Sequence, residues 1–403
     1  MNNYHHIFGT ASWPTKLGNA FNNNVSRVTA SAQGEALWSV PLPNRSASGI
    51  VVTHCGRVIV SSRRSLTAVD ADGVVAWRVK SERSMGHPVV LGNGYILLVE
   101  NRGHEFVMRE QASGAVVRSW PVNTSISLQP SLTPQGHILY NQYQPAEKCS
   151  LLAQVSLSGE LLWSRRLARV LYDPPLVIDD LIIIRDGTYL RAYNTEGALQ
   201  WIANRHGFQM ADASNWSNLA TKQSDSSSDK IYTPLIWLGN HQVLAGFSWY
   251  SGRGLHIFDI CQQSVRLFKP PQSTYLPAKK VLATPRVPEK GLFVVTVGWQ
   301  KSTIMLDLAG NIIWQHRDPE GEAQTIIADA QGQVLVTSTV SWQIWDLYKE
   351  YYDLSKQSFL RGFAPDGEIL FTWYAPGPIS SPLALGKAGE TYLVSDGRLW
   401  AIA

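Results

Sequence analysis

Short apolar runs, rich in β-branched residues and opened by a turn residue, recur along the whole chain. GRVIVSS (56–62), GYILLVE (94–100), GHILYNQ (136–142), DLIIIRD (180–186), GLFVVTV (291–297) and GQVLVTS (332–338) are the clearest. Upstream of most lies a run marked by proline: HPVVL (87–91), QPSLT (129–133), PPLVI (174–178), TPLIW (233–237), SPLAL (381–385). Proline is tolerated near a strand start, where its missing N–H breaks no ladder bond. Downstream come apolar alternations ending in a turn former, such as LTAVD (66–70), LRAYN (190–194) and TIMLD (303–307). The pattern predicts strand after strand, joined by tight turns, with no helical period between them.

A further phrase follows each alternation: a glycine, an apolar step, and a tryptophan four residues after the glycine. GEALW (34–38), GVVAW (73–77), GELLW (159–163), GALQW (197–201) and GNIIW (310–314) are the full copies. SGAVVRSW (113–120) is a degenerate copy whose Trp120 arrives two residues late, and in GEILF (367–371) Phe371 replaces the tryptophan. Asp, Asn and Ser side chains bond nearby backbone amides, so each phrase predicts a hairpin turn between a third and a fourth strand. Four strands in about forty residues, repeated, predict an all-β protein, a single β-propeller of four-stranded antiparallel blades.

The units fall at 47–80, 84–122, 126–168, 171–204, 230–270, 280–317, 322–373, and 378–403 together with 31–40. That makes eight blades, or seven if the weak unit at 230–270 is discounted. The C-terminal GRLWAIA (397–403) reads as a third strand without a fourth, and GEALW as a fourth without a third. Pairing 31–40 with 378–403 therefore closes the ring. Residues 1–30 are an N-terminal extension and 204–230 an insertion. Trp38, Trp77, Trp163, Trp201 and Trp314 are expected to wedge between blades, each indole N–H on a backbone carbonyl.

The phrases VDADGVVAW, YNTEGALQW and LDLAGNIIW resemble the tryptophan-docking repeat of PQQ-like β-propellers, and the resemblance covers about residues 31–403. That class includes PQQ-dependent alcohol dehydrogenases and a non-enzymatic lipoprotein of outer-membrane protein assembly. The dehydrogenases resemble one another in an adjacent cysteine pair on the quinone, which Cys55, Cys149 and Cys261 do not form. Asp70-Ala71-Asp72-Gly73 looks like part of a calcium loop but falls on the repeat's turn. No cofactor is expected, neither PQQ nor calcium. The lipoprotein needs a leader and a lipidated cysteine, whereas the first cysteine here is Cys55, inside a blade.

Composition narrows the classes further. A formal net charge of +4 with no basic run argues against nucleic acid. No apolar stretch is long enough for a membrane helix, the first residues have no signal-peptide pattern, and three scattered cysteines form no disulfide framework. The expected compartment is the cytoplasm.

In a propeller, loops joining second to third strands open on the same face as loops joining blades, around the mouth of the axial channel. This places Arg64, Arg102, Tyr143, Arg185, Trp249, Tyr250, Arg253, Trp299 and Lys301 there as candidate ligand-binding residues. Glu100, His104, Asp173 and His206 are the candidate acid–base residues. The insertion 204–230 reads as a lid, and WDLYKEYYDLSKQ (345–357) as a short amphipathic helix on the rim or on a partner. No nucleophile, Walker or metal-ligand motif occurs. The function expected is a binding or scaffold protein holding a small molecule or a protein at the mouth. The alternative is an enzyme of specialised metabolism with lyase, cyclase or hydrolase chemistry at the axial pocket.

Overall fold

The computed structural model describes residues 8, 10–15, 25–122, 130–144, 146, 149–167, 171, 174–211, 235–246, 255–268, 281–283, 292–296, 302–318, 322–345 and 351–403. These residues form eight antiparallel sheets in chain order, seven of four strands and one of five. The first seven span residues 49–80, 89–121, 131–167, 176–210, 236–268, 281–317 and 322–374. In the eighth, Ala36–Pro41 pairs with Arg398–Ile402, which pairs with Thr391–Ser395 and so to Ala384–Leu385. The two chain ends thus share one sheet, as the unmatched strands require. The molecule is an all-β propeller.

In the first sheet the inner three strands are buried and the fourth alternates. Val58–Ser62 and Ser65–Val69 are buried throughout, whereas Val75–Lys80 alternates half-buried and exposed. Inner strands are covered on both faces by neighbouring sheets, so they read as continuous apolar runs rather than alternations.

The Gly-to-Trp phrases stitch the sheets together. Trp38, Trp77, Trp120, Trp163 and Trp314 each project from a fourth strand onto the turn glycine of the next sheet. A Cβ built on Gly73, Gly114, Gly159, Gly197 or Gly367 would lie 2.6–2.9 Å from the ring of Trp38, Trp77, Trp120, Trp163 or Trp314, respectively. The indole N–H donates to a carbonyl of the same turn: Trp38 to Ala71 (2.8 Å), Trp77 to Gln111 (3.0 Å), Trp163 to Thr195 (2.8 Å) and Trp314 to Pro365 (3.1 Å). Phe371 takes the same place against Gly34, with no N–H to donate. Trp201 meets no such glycine, because the fifth sheet has lost the motif; it packs edge-on against Phe208, at 5.0 Å between centroids.

Two local expectations are corrected. The segment taken as insertion from 204 begins with a strand, Gly207–Met210, which pairs with Leu199–Asn204 as a fifth, outermost strand. Asn204 and Gly207 make the turn that returns it, and Phe208 is drawn in by Trp201; residues 212–230 lie outside the described residues. The segment 345–357 is not helical where described. Val334–Trp345 and Tyr351–Phe363 form one long hairpin, with Trp345 opposite Tyr351 and Ile344 opposite Tyr352. Its ladder begins in the core at Val334 and Phe363 and simply continues outward, so the strand period overrides the local helical pattern.

One seam carries a titratable group. His316, on the fourth strand of the sixth sheet, accepts from Arg361 Nη1 at its Nε2 (3.0 Å). Arg361 also donates to Asp318 Oδ2 (2.8 Å) and Thr372 Oγ1 (3.0 Å). Burial, then the Arg361 charge, lowers the His316 pKa against the opposing pull of Asp318. The fold favours neutral His316, so the unfolded chain takes up the proton first as pH falls. Stability contributed at this seam is complete above about pH 6.5 and declines as pH falls through the lowered folded value. Urea midpoints at pH 7.5 and pH 5 should differ less in His316→Gln than in the parent; an equal difference would remove His316 from the cause.

Candidate functional site

The face bearing the second-to-third-strand turns is built from short linkers laced to those turns by backbone bonds. Linker 81–88 joins the first sheet to the second. Ser81 N donates to the Arg64 carbonyl (3.0 Å) and Met85 N to the Arg63 carbonyl (2.9 Å). Across the same linker, Arg102 N donates to Ser84 Oγ (2.7 Å). Arg102 has φ 57°, a left-handed conformation that the three-residue turn Asn101–Gly103 requires. The preceding linker is held likewise: Asn44 Nδ2 donates to Ser62 Oγ (2.8 Å) and Ser65 Oγ (3.1 Å), and Ser380 Oγ to the Arg45 carbonyl (3.0 Å).

This lacing places Arg63, Arg64 and Arg102 along one short linker, all exposed. The neighbouring carboxylates are largely engaged. Glu105 accepts from Arg83 Nη1 (2.6 Å), and Glu100 is 4% exposed and accepts from Arg109 Nε (3.0 Å) and Nη2 (2.9 Å). Glu82 is exposed on the same linker. No described carboxylate lies within ion-pair distance of Arg63, Arg64 or Arg102. The result is a rim whose fixed backbone presents guanidinium groups to solvent, a geometry suited to carboxylate or phosphate oxygens.

The candidate acid–base residues do not converge where they are described. Glu100 points into a buried ion pair between strands. His104 is exposed, with its carbonyl accepting from Val122 N (2.8 Å). His206 is exposed at the turn into the fifth strand of the fourth sheet, on its outer margin. There it lines a cavity of ≈ 150 Å³ with Tyr189, Asn204, Phe208 and Gln209. Of the candidate ligand residues, Tyr143 and Arg185 are half-buried on the strands Ile138–Gln144 and Leu181–Asp186. Asp173, Trp249, Tyr250, Arg253, Trp299 and Lys301 lie outside the described residues.

The pattern missed the buried pairs. Asp186 Oδ2 accepts from Arg191 Nε at 2.6 Å, with side chains 2% and 1% exposed. YLRAYN and LIIIRD each place a charge at an inward position, which was the available signal.

A quinone site of the dehydrogenase kind does not fit. Cys55 and Cys261 are exposed on turns of different sheets and Cys149 is buried on a third, so no cysteine pair lies together. Asp70 is engaged by Arg57 (2.7 Å), and Asp72 Oδ1 accepts from Val74 N (3.0 Å). Among the described residues, no group of three or more His, Cys, Asp or Glu is placed to hold a metal, and no helix is long and apolar enough to cross a membrane.

Comparison with known proteins places the architecture. Residues 22–145 match the family described as outer membrane protein assembly factor BamB. BamB from Moraxella catarrhalis superposes with a TM-score of 0.61 at 13% identity, over 91% of this chain and 97% of that one. Quinohemoprotein alcohol dehydrogenase from Comamonas testosteroni superposes with 0.63 at 11%, over 99% and 81%. Sqt1 of Saccharomyces cerevisiae gives 0.57 at 9%, over 91% and 98%. No curated protein matches in sequence. At these identities the likeness is one of fold, and the fold is the PQQ-like β-propeller.

Proposed function

We propose that this chain is a non-catalytic binding propeller that takes an acidic segment of a protein partner on the face bearing Arg63, Arg64 and Arg102. The observation that carries this reading is the set of three exposed arginines laced to one linker without a carboxylate partner. A fixed backbone under exposed guanidinium groups favours recognition of anionic groups at a protein surface. The long hairpin 334–363 supports a macromolecular partner. It extends about six residues per strand beyond the pairing of its sheet, or about 20 Å at the usual strand rise, and it starts from the turn face that bears the arginines. The family match supports it too, being to an assembly factor. Acid–base chemistry is disfavoured by the engagement of Glu100 and by the separation of His104 from His206. The exposed thiols of Cys55 and Cys261 suit a reducing cytoplasm.

A photo-crosslinking amino acid at position 64 or 102, introduced in cells, is expected to give protein adducts, and one at Asp72 or Glu196 on the opposite turns is not. Charge reversal at Arg63 should reduce the adducts, as should raised salt. Equal adducts from both faces, or none from either, would refute the assignment.

A further inference from the structure

The N-terminal segment lies outside the repeat, yet it is bound to the propeller at its centre. The Trp13 carbonyl accepts from Val52 N (2.9 Å), making an antiparallel bridge, and the Pro14 carbonyl accepts from Val90 N (2.9 Å). Ser12 Oγ donates to the Leu385 carbonyl (2.9 Å). Farther along, Ser26 N donates to the Ala328 carbonyl (2.9 Å) beside a parallel bridge from Val25 to Ala328. Ala30 N donates to Asp329 Oδ2 (2.9 Å) and Ser31 N to the Gly389 carbonyl (2.9 Å).

Val52, Val90, Ala328 and Leu385 share one property. Each is the last residue of the first strand of its sheet: Gly49–Val52, Val89–Val90, Glu322–Ala328 and Ala384–Leu385. Each of these strands ends its sheet and pairs within it on one side only. In a propeller the other side faces the axis. Residues 11–14 and 25–31 therefore add to the axial edges of the first, second, seventh and eighth sheets, at the end of the channel opposite the arginine face. They satisfy backbone groups that an open edge would leave to water or to another chain.

Trp13 anchors this contact. It is 0% exposed, in the apolar cluster that includes Ile50, Val52, Ala384 and Leu385. The segment is thus bound by main-chain pairing and one aromatic anchor.

We propose that the axial edge formed by these four sheets is a binding site for an extended peptide with an aromatic anchor, and that residues 11–14 and 25–31 are its resident, displaceable occupant. Recognition is strand addition, in which main-chain bonds give affinity and the pocket under Trp13 gives selectivity. This site is separate from the arginine face, and its test does not depend on that assignment.

The test is hydrogen exchange on the full chain. In Trp13→Ala, the amides of Val52, Val90 and Ser26 are expected to exchange about tenfold faster or more, while Ile59 and Val60 in the adjacent strand keep their rates. Trp13→Phe, which keeps an aromatic anchor, should stay near the parent. A synthetic peptide of residues 8–31, added to Trp13→Ala, should restore protection at Val52 and Val90 saturably. Unchanged rates at those amides, acceleration of the whole core together, or failure of the peptide to restore protection would each overturn the proposal.

Discussion

Trp163→Ala is expected to destabilise the protein by about 3–5 kcal/mol, the range for truncating a large buried aromatic. Trp163 is 8% exposed, on the fourth strand of the third sheet, and its Nε1 donates to the Thr195 carbonyl at 2.8 Å. Its ring lies 2.6 Å from where a Cβ on Gly197 would stand. Gly197 has φ +76°, a region that costs an L residue about 1–2 kcal/mol. Gly197→Ala therefore carries both backbone strain and a clash with the ring. In Trp163→Ala the clash is gone and only the strain remains. The double variant should be more stable than the sum of the single losses predicts, which urea unfolding with unchanged slopes would show. Strict additivity would mean that ring and glycine do not meet. The same geometry at Trp38, Trp77 and Trp314 makes the phrase a seam between sheets, repeated around the ring.

That seam was legible because it is local. Glycine, apolar step and tryptophan sit within one hairpin, and the turn chemistry fixes where the ring emerges. Trp120 still reaches Gly159 despite its two-residue delay, and Phe371 substitutes at Gly34, so the signal tolerates imperfect copies. Ring closure was legible for a related reason: one unmatched strand at each terminus leaves a single pairing. The strand Gly207–Met210 and the hairpin 334–363 were not legible, since each is decided by an edge supplied from elsewhere in the sheet. The position of Trp13 was invisible for the same reason. Its partners Val52 and Leu385 come from strands that meet only when the ring closes. Candidate site residues were only half legible. Turn position places Arg64 and Arg102 on one face, but nothing local reveals that Glu100 is turned inward to Arg109.

Arg191→Ala is expected to cost about 3–5 kcal/mol, because it removes the guanidinium that pairs with the buried Asp186 carboxylate. Burial decides the size of the effect. Arg191 and Asp186 are 1% and 2% exposed with 2.6 Å between Nε and Oδ2. Arg57 and Asp70 sit at a similar 2.7 Å but are 20% and 42% exposed, so Arg57→Ala should cost only about 0–1 kcal/mol through the ion pair. The environment of the buried pair is apolar enough to push the Tyr193 hydroxyl up to about 12, chiefly by burial, with Arg191 acting against that rise and Asp186 adding to it. Replacing both partners by apolar residues, Asp186→Leu with Arg191→Met, should recover most of the loss, since no buried charge is then left alone. Arg185 precedes Asp186 on the same strand, half-buried near the mouth, so the pair sets the footing of a candidate ligand residue. Parent-like stability in Arg191→Ala, together with altered adducts from positions 64 and 102, would move this pair from the framework to the binding face.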